Sequence, residues 1–324
     1  LRMLLISHTK EATMNDRLTI SLFELFEIFP NEESAKRYLE EKRWGDKVVC
    51  PFCGKSEKQY RVKRNGVEGY FECGECGKVY TVRTGTIFER SHVPLHKWIF
   101  AFYLVVTSRK GISSMQLSKE IGVTQKTAWF MLQRIREACN SNHDDDNGFL
   151  SGIVEADGVY IGGKESNKHE SQKLKAGREI VGKTAVLGMR ARAGKVLARV
   201  IPDTSRDTVH QILNKYLSRD SVLVTDEHAS YKESQFNHQV VNHSAKQYVD
   251  GMAHTNGIES VWAVLKRGFY GIYHSFSTKH LQRYVDEFAY RLNEGNVKIH
   301  TWVRLDALMA RAFSTRITYA ELKN

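Results

Sequence analysis

Four cysteines set the tightest constraint on this chain. Cys50 and Cys53 stand in CPFCG, Cys73 and Cys76 in CGECG, and nineteen residues separate the two pairs. Each C-x-x-C turn aims two thiolates at one point. Two such turns close a tetrahedral sulfur shell with no open position, the ligand set of a structural zinc ion. A redox dithiol needs only one pair, so duplication, with glycine after each second cysteine, points to metal. The fifth cysteine, Cys139, ends a helical pattern and reads as a small buried apolar side chain. Five cysteines in a reducing compartment do not suggest a disulfide framework.

The residues around the knuckles fit a small β-ribbon. PNEESAKRYLEEKRWG predicts a short helix capped by Asn31 and closed by glycine. Asn65-Gly66 marks a hairpin between the cysteine pairs, and KVYTVRTGTIFE reads as the next strand. From Leu95 the pattern turns helical through LHKWIFAFYLVVTS, SSMQLSKEIG and VTQKTAWFMLQRIREAC. The last two segments meet at Gly122-Val123, and Thr124 is placed to cap the second. That pattern predicts a helix-turn-helix with Gln125, Lys126 and Thr127 at the start of the helix that reads DNA.

NSNHDDDNG has no apolar anchor and reads as a linker. Beyond it, GFLSGIVEADGVYIGG, the two halves of TAVLGMRARAGKVLARVIP turning near Gly194, SVLVTD and HQVVN read as strands. SRDTVHQILNKYL, a short segment around SYKESQF, and MAHTNGIESVWAVLKR read as helices. The order β-β-β-α-β-α-β-α predicts an α/β domain on a mixed sheet. A closing helix, KHLQRYVDEFAYRLN, puts Leu281, Tyr284, Val285, Phe288 and Leu292 on one side. The expected organisation is an extension and short helix over 1–45, a zinc ribbon over 46–90, a helix-turn-helix segment over 91–140 and an acidic linker over 141–149. The α/β domain follows over 150–300, then a helical tail over 301–324.

A formal charge of +11 suits a polyanionic partner, nucleic acid first. The lysine-rich stretch GGKESNKHESQKLKAGREIVGK is too polar to pack. Its Lys164, Lys168, Lys173 and Lys175 are expected to touch a DNA backbone, which gives affinity without reading sequence. The apolar start LRMLLI is too short for a signal-peptide core, and no later run reaches the length of a membrane span, so an intracellular protein is expected. Leu1 and the later Met14 suggest a second reading of residues 1–13, as upstream translated sequence or a cloning remnant.

Two aspartates sit where charge is costly. Asp157 lies within an apolar strand, and Asp226 ends SVLVTD. Carboxylates at such places must be paired or bind a cation, and on adjacent strands each raises the other's cost. Mg²⁺, with few carboxylates and phosphate oxygens completing its shell, resolves that conflict. A third carboxylate belongs on the helix that follows. There Asn256, Glu259 and Lys266 form one polar stripe, Asn256 about 60° and Lys266 about 20° from Glu259 around the axis. Glu155 shares the face of Asp157 by strand alternation and is a candidate auxiliary acid. Trp262, in the same helix, reads as core, with stacking on a displaced base as the alternative.

These segments, taken together, resemble a family. RWGDKVVCPFCG, VRTGTIFE, IVEADGVYIGGKE, LVTDEHASY, HTNGIESVWAVLKRG and STKHLQRYVDEFAYRLN stand in the order found in DDE insertion-sequence transposases. These join an amino-terminal zinc ribbon to a ribonuclease-H-like catalytic domain and are the bacterial relatives of Merlin elements. The resemblance runs from about Leu18 to Asn293. It implies a metal-dependent polynucleotidyl transferase that cleaves DNA at the terminal repeats of its element and transfers the freed 3′-hydroxyl into target DNA. Asp157, Asp226 and Glu259 would hold Mg²⁺ or Mn²⁺, and Lys266 would place a phosphate. The family carries Asn or Glu as third ligand at the positions of Asn256 and Glu259, and this chain has both. We expect Glu259 to be the ligand and Asn256 to cap the helix. Gly158 departs from the acidic residue that many relatives carry after the first aspartate. Pairing of two ends implies a homodimer or larger assembly on double-stranded DNA, in the cytoplasm at the nucleoid. Two rival readings are a catalytically idle DNA-binding regulator derived from a transposase and a structure-specific nuclease of the same fold.

Overall fold

The computed structural model describes residues 18–140, 150–163, 169–173, 182–192, 194–241, 254–275 and 277–323. The chain forms two compact units, Leu1–Cys139 with Gly295–Asn324, and Asn140–Glu294. The expected linker over 141–149, residues 1–13, and Lys164, Lys168 and Lys175 lie outside the described residues.

In the first unit, α1 (Leu22–Ile28) begins at a capping box between Ser21 and Glu24, and α2 (Glu32–Trp44) at the Asn31 side chain, which accepts the Ser34 N–H. The hairpin β1 (Gln59–Arg64) and β2 (Val67–Cys73) is antiparallel, and β2 pairs with the short β3 (Val79–Tyr80). Asn65 and Gly66 both take positive φ at the hairpin turn, as a two-residue Asn-Gly connection requires. The strand expected over KVYTVRTGTIFE is only these two residues. Beyond Tyr80, Thr84 and Thr86 donate backwards in successive turns, and Gly85 has a φ of 74°, so the chain curls away from the ladder.

Three helices follow: α3 (Leu95–Thr107), α4 (Ser114–Ile121) and α5 (Gln125–Ala138). Gly122 closes α4 in the left-handed region, and Thr124 caps α5 by accepting the Thr127 N–H, so α4 and α5 form the helix-turn-helix unit. Cys139 is buried as expected. The segment from residue 301 builds α9 (Thr301–Ser314) and α10 (Tyr319–Lys323). α9 belongs to this unit: the Ala312 carbonyl accepts the Ile87 N–H at 3.2 Å, Lys42 pairs with Asp306 at 2.6 Å, and Trp302 stacks on Phe29.

The second unit is a five-stranded sheet ordered β6-β5-β4-β7-β8. Its strands are β4 (Ile153–Ile161), β5 (Thr184–Ala191), β6 (Val196–Ile201), β7 (Val222–Thr225) and β8 (Asn237–Val240). β4 to β6 form an antiparallel meander, and β7 and β8 add in parallel on the other side of β4. This strand order, with three antiparallel strands followed by two parallel ones, is that of the ribonuclease-H-like fold. α6 (Arg206–Tyr216) covers one sheet face through Val209 and Leu213, which pack with Val154, Ala156 and Leu187. α7 (Asn256–Gly268) and α8 (Leu281–Glu294) cover the other through Ile258, Val261, Trp262, Leu265, Val285 and Phe288. The helix expected around SYKESQF is a single 3₁₀ turn, Ala229–Tyr231, begun by the His228 side chain, which accepts the Ser230 N–H, and ended where Lys232 turns extended and Glu233 takes a positive φ. Leu292 lies at the edge of the buried side of α8, 37 % exposed.

Candidate active site

Side chains alternate along β4. Val154 and Ala156 enter the core beneath α6, while Val159 and Ile161 enter the core beneath α7. Glu155 and Asp157 share the parity of Val159 and therefore face α7. Glu155 pairs in register with Val224 of β7, so two residues further on Asp157 stands level with Asp226, just past the end of β7. Adjacent strands lie about 4.8 Å apart, which sets the two carboxylates side by side as the sequence predicts.

Asp157 is held by two donors. Its Oδ1 accepts the Gly158 N–H at 2.8 Å, and its Oδ2 accepts the indole N–H of Trp262 at 3.0 Å. Burial and then the charge of Asp226 push its acid up to about 6, with Glu259 adding to the rise and the two hydrogen bonds opposing it. Trp262 is thus both core and a donor to Asp157. Its ring lies against Gly188, the β5 residue paired with Asp157, where a Cβ would come within 2.4 Å of the ring. Asp226 Oδ1 accepts the His228 N–H at 3.1 Å. Tyr231, buried beside both aspartates, has its phenol pushed upwards by burial and then by their charges.

Glu259 and Asn256 are both exposed on α7. Glu259 Oε1 accepts the Thr255 hydroxyl at 3.0 Å. Asn256 does not cap the helix. The Thr255 carbonyl already accepts the Glu259 N–H at 3.1 Å, so the i→i+4 ladder starts one residue earlier, with Thr255 as N-cap and Asn256 as the first helical residue. Lys266 is exposed in the last turn. Glu155, the candidate auxiliary acid, is 1 % exposed and engaged by protein groups: Arg192 Nε at 2.9 Å and the Ile258 N–H at 2.9 Å.

The four cysteines behave as one shell. Their sulfurs all lie within 4.8 Å of one another, with Cys50–Cys76 at 3.8 Å and Cys53–Cys73 at 3.6 Å. A tetrahedron with Zn–S bonds of about 2.3 Å has edges of about 3.8 Å, whereas a disulfide needs about 2.05 Å. The knuckles repeat each other: Gly54 donates to the Cys50 carbonyl and Gly77 to that of Cys73, both at positive φ. Gln59 donates to Cys73 Sγ at 3.4 Å, and with the amides of Cys76 and Glu75 it lowers that thiol to about 6. Such a shell fits structural zinc.

The residues expected to read DNA already have partners within their own unit. Gln125 Nε2 donates to Ser114 Oγ at 2.8 Å, the Lys126 ammonium sits 6.0 Å from the Tyr319 ring centroid, and Thr127 Oγ1 lies 2.9 Å from Thr124 Oγ1. Gln125 and Lys126 remain exposed. Lys173 pairs with Glu170 at 2.8 Å. No helix among the described residues is long and apolar enough to cross a membrane. Sequence reasoning missed Tyr231, the Asp157–Trp262 bond and the partners of Glu155. Gly188 inside an otherwise apolar strand was the available signal for the second, since a strand glycine marks close approach of a neighbour.

Comparison with known proteins agrees with this architecture. A protein in transposable element ISH50 of Halobacterium salinarum is 28 % identical over 276 residues, covering 81 % of this chain and 91 % of its own. Among solved structures, the Mos1 strand transfer complex and a pre-cleavage Mos1 transpososome share 14 % identity with this chain. They cover 66 % and 65 % of it and 75 % of their own chains. Their TM-scores are both 0.27, so the fold assignment rests on the strand order itself. Residues 30–79 match the transposase zinc-ribbon domain and residues 149–293 the ISXO2-like transposase domain, and with both in one chain the protein belongs to the insertion-sequence transposases that carry this pair.

Proposed function

We propose that this transposase cleaves DNA at the ends of its element and transfers the freed 3′-hydroxyl into target DNA at one site built from Asp157, Asp226 and Glu259. The observation that carries this reading is the pairing of Asp157 with Asp226; among the described residues only the four cysteines converge as a closed ligand set, so Glu259 would close on the aspartate pair when a cation binds. Asp157 and Asp226 stand level on adjacent strands, and Glu259 lies near enough for its charge to add to the rise of the Asp157 acid to about 6. Oxygen-rich, anionic and partly open to solvent, the cluster has the donors that Mg²⁺ or Mn²⁺ prefers. Divalent cations bound there supply the positive charge that activates the attacking oxygen and stabilises the leaving one.

The chain's own groups hold this arrangement. Trp262 and Gly158 fix the Asp157 carboxylate from two sides, which leaves it little freedom to rotate away from Asp226. Lys266 stands on the same helix as Glu259 as a point charge for a phosphate. Glu259 is the third ligand in this reading, since a carboxylate contributes a charge and two oxygens where the Asn256 amide contributes neither charge nor a second oxygen. Gln125, Lys126 and Thr127 at the start of α5 contact the terminal repeats. Lys164, Lys168, Lys173 and Lys175 contact the backbone of end or target DNA, and two or more copies assemble on the paired ends.

The test is a plasmid carrying the element, incubated with purified protein and Mg²⁺ and probed for broken ends and joined products. Glu259→Gln, Asp157→Asn and Asp226→Asn are expected to abolish both products while end binding persists, and Asn256→Ala to keep measurable activity. An active Glu259→Gln beside a dead Asn256→Ala would move the third ligand to Asn256. Cleavage of branched DNA without joining would replace the transferase reading with that of a nuclease, and end binding with no metal-dependent cleavage would leave a regulator.

A further inference from the structure

Helix α7 lacks a side-chain cap of its own. Thr255, its N-cap, accepts no N–H through its side chain, so the first amides of the helix need partners from elsewhere. The third of them, that of Ile258, is accepted at 2.9 Å by Glu155 Oε2, from a strand residue 103 positions away in sequence. Glu155 is buried to 1 % exposure, and its other oxygen, Oε1, receives Arg192 Nε at 2.9 Å and lies 3.3 Å from His254 Nδ1. Arg192 also donates to the His254 carbonyl at 2.9 Å, and Arg190 donates to the Gly257 carbonyl at 2.6 Å and to Ser260 Oγ at 3.0 Å. The start of α7 is thereby tied to β4 and β5 on both sides of Gly257.

The approach is close enough to dictate that glycine. A Cβ at Gly257 would fall 2.5 Å from Glu155 Oε2, so any other residue there forces the helix and the carboxylate apart. Burying a carboxylate is costly even when it is paired, and capping alone is met more cheaply by a hydroxyl or amide near the helix start. What the buried acid adds is a fixed reference. Glu155 lies two residues before Asp157 on the same face of β4, and the residue after Ile258 is Glu259.

We propose that Glu155 is a positioning residue: by gripping the Ile258 amide against Arg192, its buried carboxylate fixes the start of α7, from which Glu259 reaches towards Asp157 and Asp226, and so sets the affinity of those three residues for divalent cations. The inference rests on the reading of those three residues as a divalent-cation site. Glu155 touches neither cation nor DNA in it and acts through α7. Partners that orient metal ligands commonly carry about 10–100-fold of metal affinity.

The experiment is Mn²⁺ binding to the zinc-loaded full chain without DNA, followed by electron paramagnetic resonance, with amide hydrogen exchange at Ile258 and Glu259 as a metal-free readout. Wild type, Asp157→Asn, Glu155→Gln and Gly257→Ala are compared. Glu155→Gln and Gly257→Ala are expected to weaken Mn²⁺ binding tenfold or more, to speed exchange of both amides, and to regain DNA cleavage at raised Mn²⁺. Asp157→Asn is expected to lose binding at every concentration. If Glu155→Gln does not fold, Gly257→Ala decides, because its methyl displaces the helix start and leaves every charge in place. Wild-type Mn²⁺ affinity in folded Glu155→Gln or Gly257→Ala, whatever their melting temperatures, would overturn the positioning role while the cation site stands. Mn²⁺ binding that is absent from wild type or survives Asp157→Asn would overturn the site reading itself.

Discussion

The metal-free protein should be strained at Asp157, and removing its charge should stabilise the second unit. The Asp157 acid stands at about 6 against an ordinary aspartate value of 3.8, raised first by burial and then by Asp226. A rise of that size, at about 1.4 kcal/mol per unit, corresponds to about 3 kcal/mol of folding free energy lost at pH 7.5, where the group is ionised in both states. The sign follows from the direction of the shift. With the folded value above the unfolded one, the folded chain binds the proton more tightly, so the penalty is full above about 6. It falls to about half by pH 5 and vanishes below the unfolded value. Asp157→Asn removes the charge but can satisfy only one of the two donors, Trp262 and Gly158, and a lost hydrogen bond costs about 1 kcal/mol.

The charge effect wins, and Asp157→Asn should be more stable than wild type by about 1–2 kcal/mol at pH 7.5 in chelator with zinc retained. The measurement is urea unfolding of both proteins across pH 5 to 7.5, followed by hydrogen exchange of β4 and β5 so that the second unit is read separately. The advantage should shrink towards pH 5, because only the wild type gains from protonation. Added Mg²⁺ should then reverse the order, stabilising the wild type in proportion to ln(1 + [Mg²⁺]/Kd) and leaving the variant unmoved. A variant less stable than wild type at pH 7.5, or a difference that does not change with pH, would refute the strained-carboxylate argument.

Three further outcomes follow from the same geometry. Cys50→Ser should lose zinc by elemental analysis and open β1 to β3 to proteolysis, because metal binding and folding are coupled in such a shell; retained stoichiometric zinc would contradict the four-sulfur assignment. Gly188→Ala should destabilise the second unit by about 1–3 kcal/mol in urea unfolding and suppress cleavage. The new methyl would stand 2.4 Å from the Trp262 ring and push its indole off Asp157, so unchanged stability would show that the strand shifts freely. Lys126→Ala should weaken binding to element ends more than to random duplex in a mobility-shift titration, whereas equal losses on both would mean that α5 does not read bases.

The parts legible in the sequence are those whose cause is local. The zinc shell follows from two short spacings, and the hairpin from Asn65-Gly66. The paired aspartates follow from charges at places where an apolar strand cannot keep them alone. Strand alternation even places Glu155 on the face of Asp157, but it does not tell what occupies that carboxylate. Whether a buried acid serves a cation or a helix amide depends on what arrives from 103 residues away, and no local pattern carries that. The same holds for α9, which bonds to Ile87 and Lys42 within the first unit although Asp306 stands 264 positions from Lys42 in sequence.

Asn256 shows the limit most sharply. Its residue type favours a cap, but the ladder begins at Thr255 because Glu155, Arg190 and Arg192 fix the backbone on either side of Gly257. Capping preference is worth about 1 kcal/mol, and breaking a buried ion pair costs about 3–5 kcal/mol. The tertiary clamp therefore decides where the helix starts.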